Sequence, residues 1–147
     1  MNYAYCHTPL GLMEIGCGDA IVSVRCITEK TREDRPTPLS DRAAAQLAEY
    51  FAGKRKEFDL PLCPQGTDFQ KAVWQALLEI PYGQTRSYGE IAASIGNPKA
   101  SRAVGMACNR NPIWVLIPCH RVVGKNKSLT GYAGGLDRKQ WLLDLEA

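Results

Sequence analysis

SYGEIAASIGNPKASRAVGMACN, Ser87 to Asn109, decides how the second half of the chain folds. Ser87 and Glu90 have the spacing of a capping box, in which a hydroxyl takes the N–H three residues on and that residue's side chain reaches back. The box predicts a short helix to about Ile95, and Gly96 breaks it. Asn97-Pro98 then predicts a restart, with Asn as cap and Pro at the first helical position, where its missing N–H costs nothing. Two short helices around a glycine-containing turn make a helix-turn-helix. The second, about Lys99 to Asn109, mixes Ala100, Ser101, Arg102, Ala103, Gly105 and Ala107. Small side chains let a helix backbone approach a partner, and they equally let it pack in a core. The helix alone does not choose.

Toward the N-terminus, Thr67-Asp68-Phe69-Gln70 is another capping box. Phe69, Val73, Trp74, Leu77 and Ile80 behind it give a helical apolar stripe that Pro81 stops. The Pro/Gly-rich run Leu60 to Gly66 is the natural boundary, dividing the chain into residues 1–64 and 65–147. Before it, Leu12–Cys17 and Ala20–Cys26 flank the hairpin signal Gly18-Asp19. Ser40 is a candidate cap for a helix over Asp41 to Ala52, with Gly53 ending it. Toward the C-terminus, Ile113 to Ile117 reads as a short buried strand running into Pro118-Cys119-His120-Arg121-Val122-Val123-Gly124. A polar, Gly-rich loop from Lys125 to Gly135 leads to a helix from about Asp137, with Trp141, Leu142 and Leu145 inward. The fold class is α/β (α+β), strand-rich first and helical second.

The 147 residues, 45% hydrophobic and 22% charged, suit a soluble globular protein. No apolar run is long enough for a membrane span, and the first residues lack a secretory layout, so an intracellular, reducing location is expected. The six cysteines are therefore read as free thiols. A net charge of +3 says little, but its distribution says more. Ile91 to Leu136 holds no Asp or Glu, yet carries Lys99, Arg102, Arg110, Arg121, Lys125 and Lys127. Such a segment suits a polyanion partner; it equally suits a solvated basic face.

A lone cysteine is usually a small buried hydrophobe, and that description covers Cys6, Cys17, Cys26, Cys63 and Cys108. Cys119 differs, standing beside His120, one of two histidines, with Arg121 next. A base or cation nearby raises the thiolate fraction, the form that attacks. Adjacency is not contact, so a structural Cys119 stays open at this point. Cys6-His7, Cys17 and Cys26 lack the paired spacing of a zinc site, so no metal is expected.

The string Ile117 to Val123 resembles the active-site signature of the methylated-DNA–protein-cysteine methyltransferases, the O6-alkylguanine-DNA alkyltransferases. Tyr88 with Ile91-Ala92, Gly96 to Gly105, Asn111-Pro112, Thr130 to Gly135 and Lys139 to Glu146 continue the likeness over about half the chain. The N-terminal third resembles the family only at Thr8-Pro9-Leu10-Gly11.

The resemblance implies a ribonuclease-H-like N-terminal domain and a helical C-terminal domain that carries a helix-turn-helix. It also implies repair of O6-alkylguanine, and by extension O4-alkylthymine, by irreversible transfer of the alkyl group to Cys119, once per molecule. His120, through a water, would take the thiol proton, and Glu146 would orient the imidazole. Tyr88 would hydrogen bond the leaving base. Backbone groups of Cys119, Val122 and Ala133 would line the base pocket, with Tyr132 and Gly134 in the binding loop and Asn111 tying the helix-turn-helix to the reactive segment. Some relatives have Ser where this chain has Ala133. Double-stranded DNA would be met through the minor groove, with the lesion flipped out and Arg102 filling the stack. Lys99, Ser101, Ala103, Gly105, Arg110 and Arg121 would complete that face. No cofactor, no membrane and a monomer are expected, in the cytoplasm of a prokaryote or the nucleus of a eukaryote. Three other readings stand beside this one. A non-catalytic damage sensor is disfavoured by the cysteine at 119, and a helix-turn-helix transcription regulator leaves the Cys-His pair unexplained. A cysteine hydrolase lacks any hint of an acyl pocket.

Overall fold

The computed structural model describes residues 1–147, apart from the side chain of Lys127. The chain divides into two compact units, Met1–Gln65 and Gly66–Ala147.

The first unit is an antiparallel sheet in the order β1 (Asn2–Thr8), β2 (Gly11–Cys17), β3 (Ile21–Cys26), followed by helix α1 (Pro38–Phe51). Thr8 closes the first hairpin: its hydroxyl donates to Gly11 O at 2.8 Å and accepts from Leu10 N at 3.1 Å. β2 is central and buried from Met13 to Cys17. Its Met13 and Ile15 join Val24 and the α1 residues Ala43, Leu47 and Tyr50 among the fully buried apolar side chains. The cap of α1 corrects the sequence reading. Thr37, not Ser40, is the N-cap, Pro38 opens the helix, and Ser40 is the reciprocal member of the box, its hydroxyl accepting from Thr37 N at 2.7 Å. The connector pairs with the start of β3, Ile21 N donating to Pro61 O and Cys63 N to Ile21 O, both at 2.8 Å.

The second unit contains α2 (Asp68–Leu77), β4 (Arg86–Ser87), α3 (Tyr88–Ser94), α4 (Ser101–Asn109), β5 (Val122–Val123) and α5 (Leu136–Glu146). The boxes at Thr67/Gln70 and Ser87/Glu90 cap α2 and α3 as read. Gly96, at φ +80°, makes the turn after α3, a backbone region that only glycine enters freely. The restart differs from the reading. Asn97 and Pro98 lie in a turn closed by Ala100 N donating to Asn97 O at 3.0 Å, so α4 begins at Ser101, without a side-chain cap. Its buried Val104, Ala107 and Cys108 face inward, and Trp74 Nε1 of α2 donates to Ala107 O at 2.9 Å.

Ile113, Val115, Leu116 and Ile117 are buried as expected and Trp114 only partly, but the run is not a strand. It coils into a turn, with Leu116 N donating to Trp114 O at 2.8 Å and Ile117 N to Ile113 O at 3.1 Å. Val115 sits at φ +71°, a strained position for a β-branched residue. Apart from a bridge at Ile113, the strand character beside the reactive string is β5, which pairs in parallel with β4, Arg86 opposite Val122 and Ser87 opposite Val123. This pairing carries Tyr88, the next residue after β4, alongside the Cys119 segment.

Candidate active site

Cys119 opens a 3-10 turn, Cys119–Arg121, instead of ending a strand. Its side chain is 2% exposed. Asn111 holds it: the carboxamide nitrogen donates to Ile117 O at 2.9 Å and to Cys119 Sγ at 3.2 Å, while Oδ1 accepts from Ile113 N at 2.9 Å. One asparagine thus ties the end of α4 to the thiol turn. Burial pushes the Cys119 thiol up to about 11, against the lowering pull of Asn111, Lys139 and Tyr132. At neutral pH the resting sulfur is protonated, so it needs a base when it reacts.

His120 follows Cys119 in the chain. His120 is fully buried, and its Nε2 donates to Glu146 Oε2 at 2.7 Å. That contact leaves Nδ1 with the lone pair, and among the described residues Nδ1 has no hydrogen-bond partner. Burial, joined by the charges of Arg121 and Lys139, lowers the imidazole below its ordinary range although Glu146 pulls it up, so the ring rests neutral at physiological pH.

Arg121 is where the sequence reading fails. Expected on the DNA face, it is buried and forked onto Glu146, Nε to Oε1 at 2.8 Å and Nη2 to Oε2 at 3.0 Å, with Nη1 on Ile80 O at 2.6 Å. A guanidinium that close to a buried carboxylate offsets its desolvation and cannot turn outward without leaving that charge alone. Its role is to hold Glu146 for His120.

Lys139 was not read from the sequence as a site residue. It is buried, and Nζ donates to Val122 O at 2.6 Å, Thr130 O at 2.8 Å and Gly131 O at 3.3 Å, clamping the binding loop to β5. The signal was available. Lys139, Leu142 and Glu146 are spaced to share one helix face, so charge lay on the inward stripe of α5, whereas Trp141 and Leu145 are only partly buried. The same clamp engages the Val122 carbonyl expected in the base pocket, leaving it one free lone pair.

Tyr88 is half-buried, and its hydroxyl accepts from Thr130 Oγ1 at 2.9 Å. In the loop, Tyr132 and Gly134 are buried and Ala133 is exposed. Gly134 is obligatory by packing: a Cβ there would stand 2.7 Å from the Tyr132 ring and 3.1 Å from that of Trp114. On the helix-turn-helix, Lys99, Arg102 and Arg110 are exposed, while Ser101, Ala103 and Gly105 are partly buried, Gly105 facing the Tyr88 ring. All six cysteines are unbridged, but Cys63 is exposed, against the reading of it as a buried hydrophobe. Among the described residues no group of three or more His, Cys, Asp or Glu could hold a metal ion, and no helix is long and apolar enough to cross a membrane.

With this geometry in place, comparison with known proteins is specific. Residues 68–147 match the family model for the 6-O-methylguanine DNA methyltransferase, DNA binding domain, and residues 1–64 that for its ribonuclease-like domain. A methylated-DNA–protein-cysteine methyltransferase of Methanosarcina acetivorans is 52% identical over 153 residues, covering 99% of this chain and 98% of that protein. One from Mycolicibacterium paratuberculosis is 47% identical over 152 residues, covering 99% and 92%. The crystal structure of Mycobacterium tuberculosis OGT in complex with DNA superposes with a TM-score of 0.91 at 48% identity, covering 99% of this chain and 92% of that one.

Proposed function

The chain belongs to the 6-O-methylguanine DNA methyltransferase family, and from that premise we propose that Cys119 is the sulfur that receives the alkyl group. The protein is a DNA-repair alkyltransferase, a methylated-DNA–protein-cysteine methyltransferase. The observation that carries the assignment of Cys119 is the 2.7 Å bond from His120 Nε2 to Glu146. It fixes the tautomer in which Nδ1 is the free base, the arrangement an activated thiol requires.

In the step itself, Sγ attacks the saturated carbon on guanine O6. The S–C bond forms as the C–O bond breaks, and the electron pair leaves on the oxygen. The thiol proton passes through a water to His120 Nδ1, and Glu146, charge-balanced by Arg121, stabilises the imidazolium. The Tyr88 hydroxyl and the backbone N–H of Ala133 offset the charge developing on the base. Tyr132 and Gly134 shape the loop wall, and Val122 O is available to the exocyclic amine. A thioether has no easy return path, so each molecule acts once.

The base reaches Cys119 only outside the stack, which costs a few kcal/mol. Arg102, exposed on α4, fills the gap, a stacking contact worth about 1–3 kcal/mol. Lys99 and Arg110, also exposed, meet phosphates, and the small Ser101, Ala103 and Gly105 let α4 enter the minor groove as part of a monomer.

Incubation with a duplex containing methylguanine tests this. One methyl should appear on the Cys119 peptide by mass spectrometry, with no turnover beyond one equivalent. Cys119→Ala should bind the duplex and leave the lesion intact. Methyl found on Cys108 or Cys63 instead would reject the assignment. Arg102→Ala should slow repair of duplex far more than reaction with free methylguanine, and equal slowing would reject the stack-filling role.

A further inference from the structure

Among the large apolar side chains exposed in the structure, Met106 is the one on α4, at 61% exposure. Residues four apart share a helix face. Arg102, Met106 and Arg110 therefore run in one line, cation, thioether, cation, all exposed and opposite the buried stripe Val104, Ala107 and Cys108. A single exposed apolar residue is ordinary. One set between two outward cations faces whatever those cations bind.

We propose that Met106 packs against the deoxyribose walls of the minor groove, supplying an uncharged contact between the two arginines. The proposal rests on the reading of α4 as the DNA-facing helix. Arg110 matches a phosphate and Arg102 the vacated stack, and the sugar C–H surfaces between the phosphate rows match the thioether. Methionine is unbranched and polarisable, so it fits an irregular wall that changes from step to step. Minor-groove proteins use apolar side chains of this kind. The contact reads no base, as suits a protein that must inspect every sequence for a lesion. Duplex affinity should then contain a salt-insensitive part located at one side chain.

Binding of an unmodified duplex oligonucleotide, titrated at several salt concentrations, separates the parts. Phosphate contacts set the slope of affinity against salt, each adding about 0.9 to it. Arg110→Gln should flatten the slope by about that amount. Met106→Ala should weaken binding about tenfold at every salt concentration, the scale of losing most of one buried side chain, with the slope unchanged. Met106→Leu should restore most of the affinity, and melting curves of all variants should match the parent. Parental affinity for Met106→Ala, or a changed slope, overturns the proposal. If Arg102→Ala and Arg110→Gln also bind like the parent, the DNA-facing reading of α4 falls too.

Discussion

The two units bury polar groups for different ends. In the first, Glu14, Ser40 and Gln46 are buried, and each serves the backbone or a neighbouring strand. Ser40 accepts from the backbone N–H of the α1 cap, Thr37, and Gln46 clasps Asp59, donating to its carbonyl and accepting from its N–H. Glu14 accepts from Tyr5 at 3.0 Å and from a half-exposed Arg25 at 3.4 Å. In the second, Asn111, His120, Arg121, Lys139 and Glu146 are buried; Asn111 bonds the Cys119 sulfur, Glu146 joins His120 to Arg121, and Lys139 holds the loop carbonyls to β5. Burying that many ionisable groups is costly, and hydrophobic replacements are often as stable or more so. Under the proposed mechanism, the second unit carries that cost for the sake of the reaction.

The sharpest way to break this contrast is to neutralise one carboxylate in each unit. Glu146→Gln leaves Arg121 without its anion and removes the support of the His120 tautomer. Repair should slow by roughly 10²–10⁴-fold, and stability should fall by about 3–5 kcal/mol. Glu14→Gln should cost about 1 kcal/mol and leave the repair rate unchanged. Trp74, Trp114 and Trp141 all lie in the second unit, so tryptophan fluorescence reports its unfolding alone, while calorimetry reports both. Equal effects of the two substitutions on repair would end the distinction.

A middle-sized effect is expected from pH. His120 has a depressed pKa, so below its ordinary value of about 6.5 the unfolded chain binds a proton that the folded chain refuses. Stability of the second unit therefore falls as pH falls through that range. Cys119 and Cys108 are raised, to about 11 and about 12, so above the ordinary thiol range the unfolded chain loses protons that the folded chain keeps. Stability falls again as pH rises toward 11. The tryptophan-detected midpoint should peak between these windows, and His120→Gln should flatten the acid side only. A parental acid limb in that variant would assign it to another group.

These contrasts were unevenly legible in the sequence. The boxes at Thr67 and Ser87 could be read because their partners lie three residues away. At Thr37 the same rule misled, since Ser40 is both a common cap and, here, the reciprocal partner. The run Ile113 to Ile117 disclosed its burial but not its conformation, because five apolar residues carry no period. Arg121 read as a DNA contact because its partner Glu146 is 25 residues away, and only the fold joins them. Motif likeness points to Cys119, His120, Asn111 and Tyr88; Lys139, inside one of those motifs, looks like ordinary helix charge until the fold buries it.

The smallest test compares caps. Thr37→Ala and Ser87→Ala should each cost about 1 kcal/mol. Only Ser87→Ala should also slow repair, because Ser87 pairs with Val123 and precedes Tyr88. Slowing by both would mean that repair follows general stability.

The parallel pairing of β4 with β5 has a consequence for assembly order. Parallel strands cannot meet through a tight turn, so this pair closes only after α3, α4 and the thiol turn have been synthesised. Glu146 and Lys139 arrive later still, on α5. A chain emerging from the ribosome thus has its helix-turn-helix and the Cys119 turn before the carboxylate to which His120 donates. Under the mechanism proposed above, Cys119 has a supported base beside it only once α5 has docked.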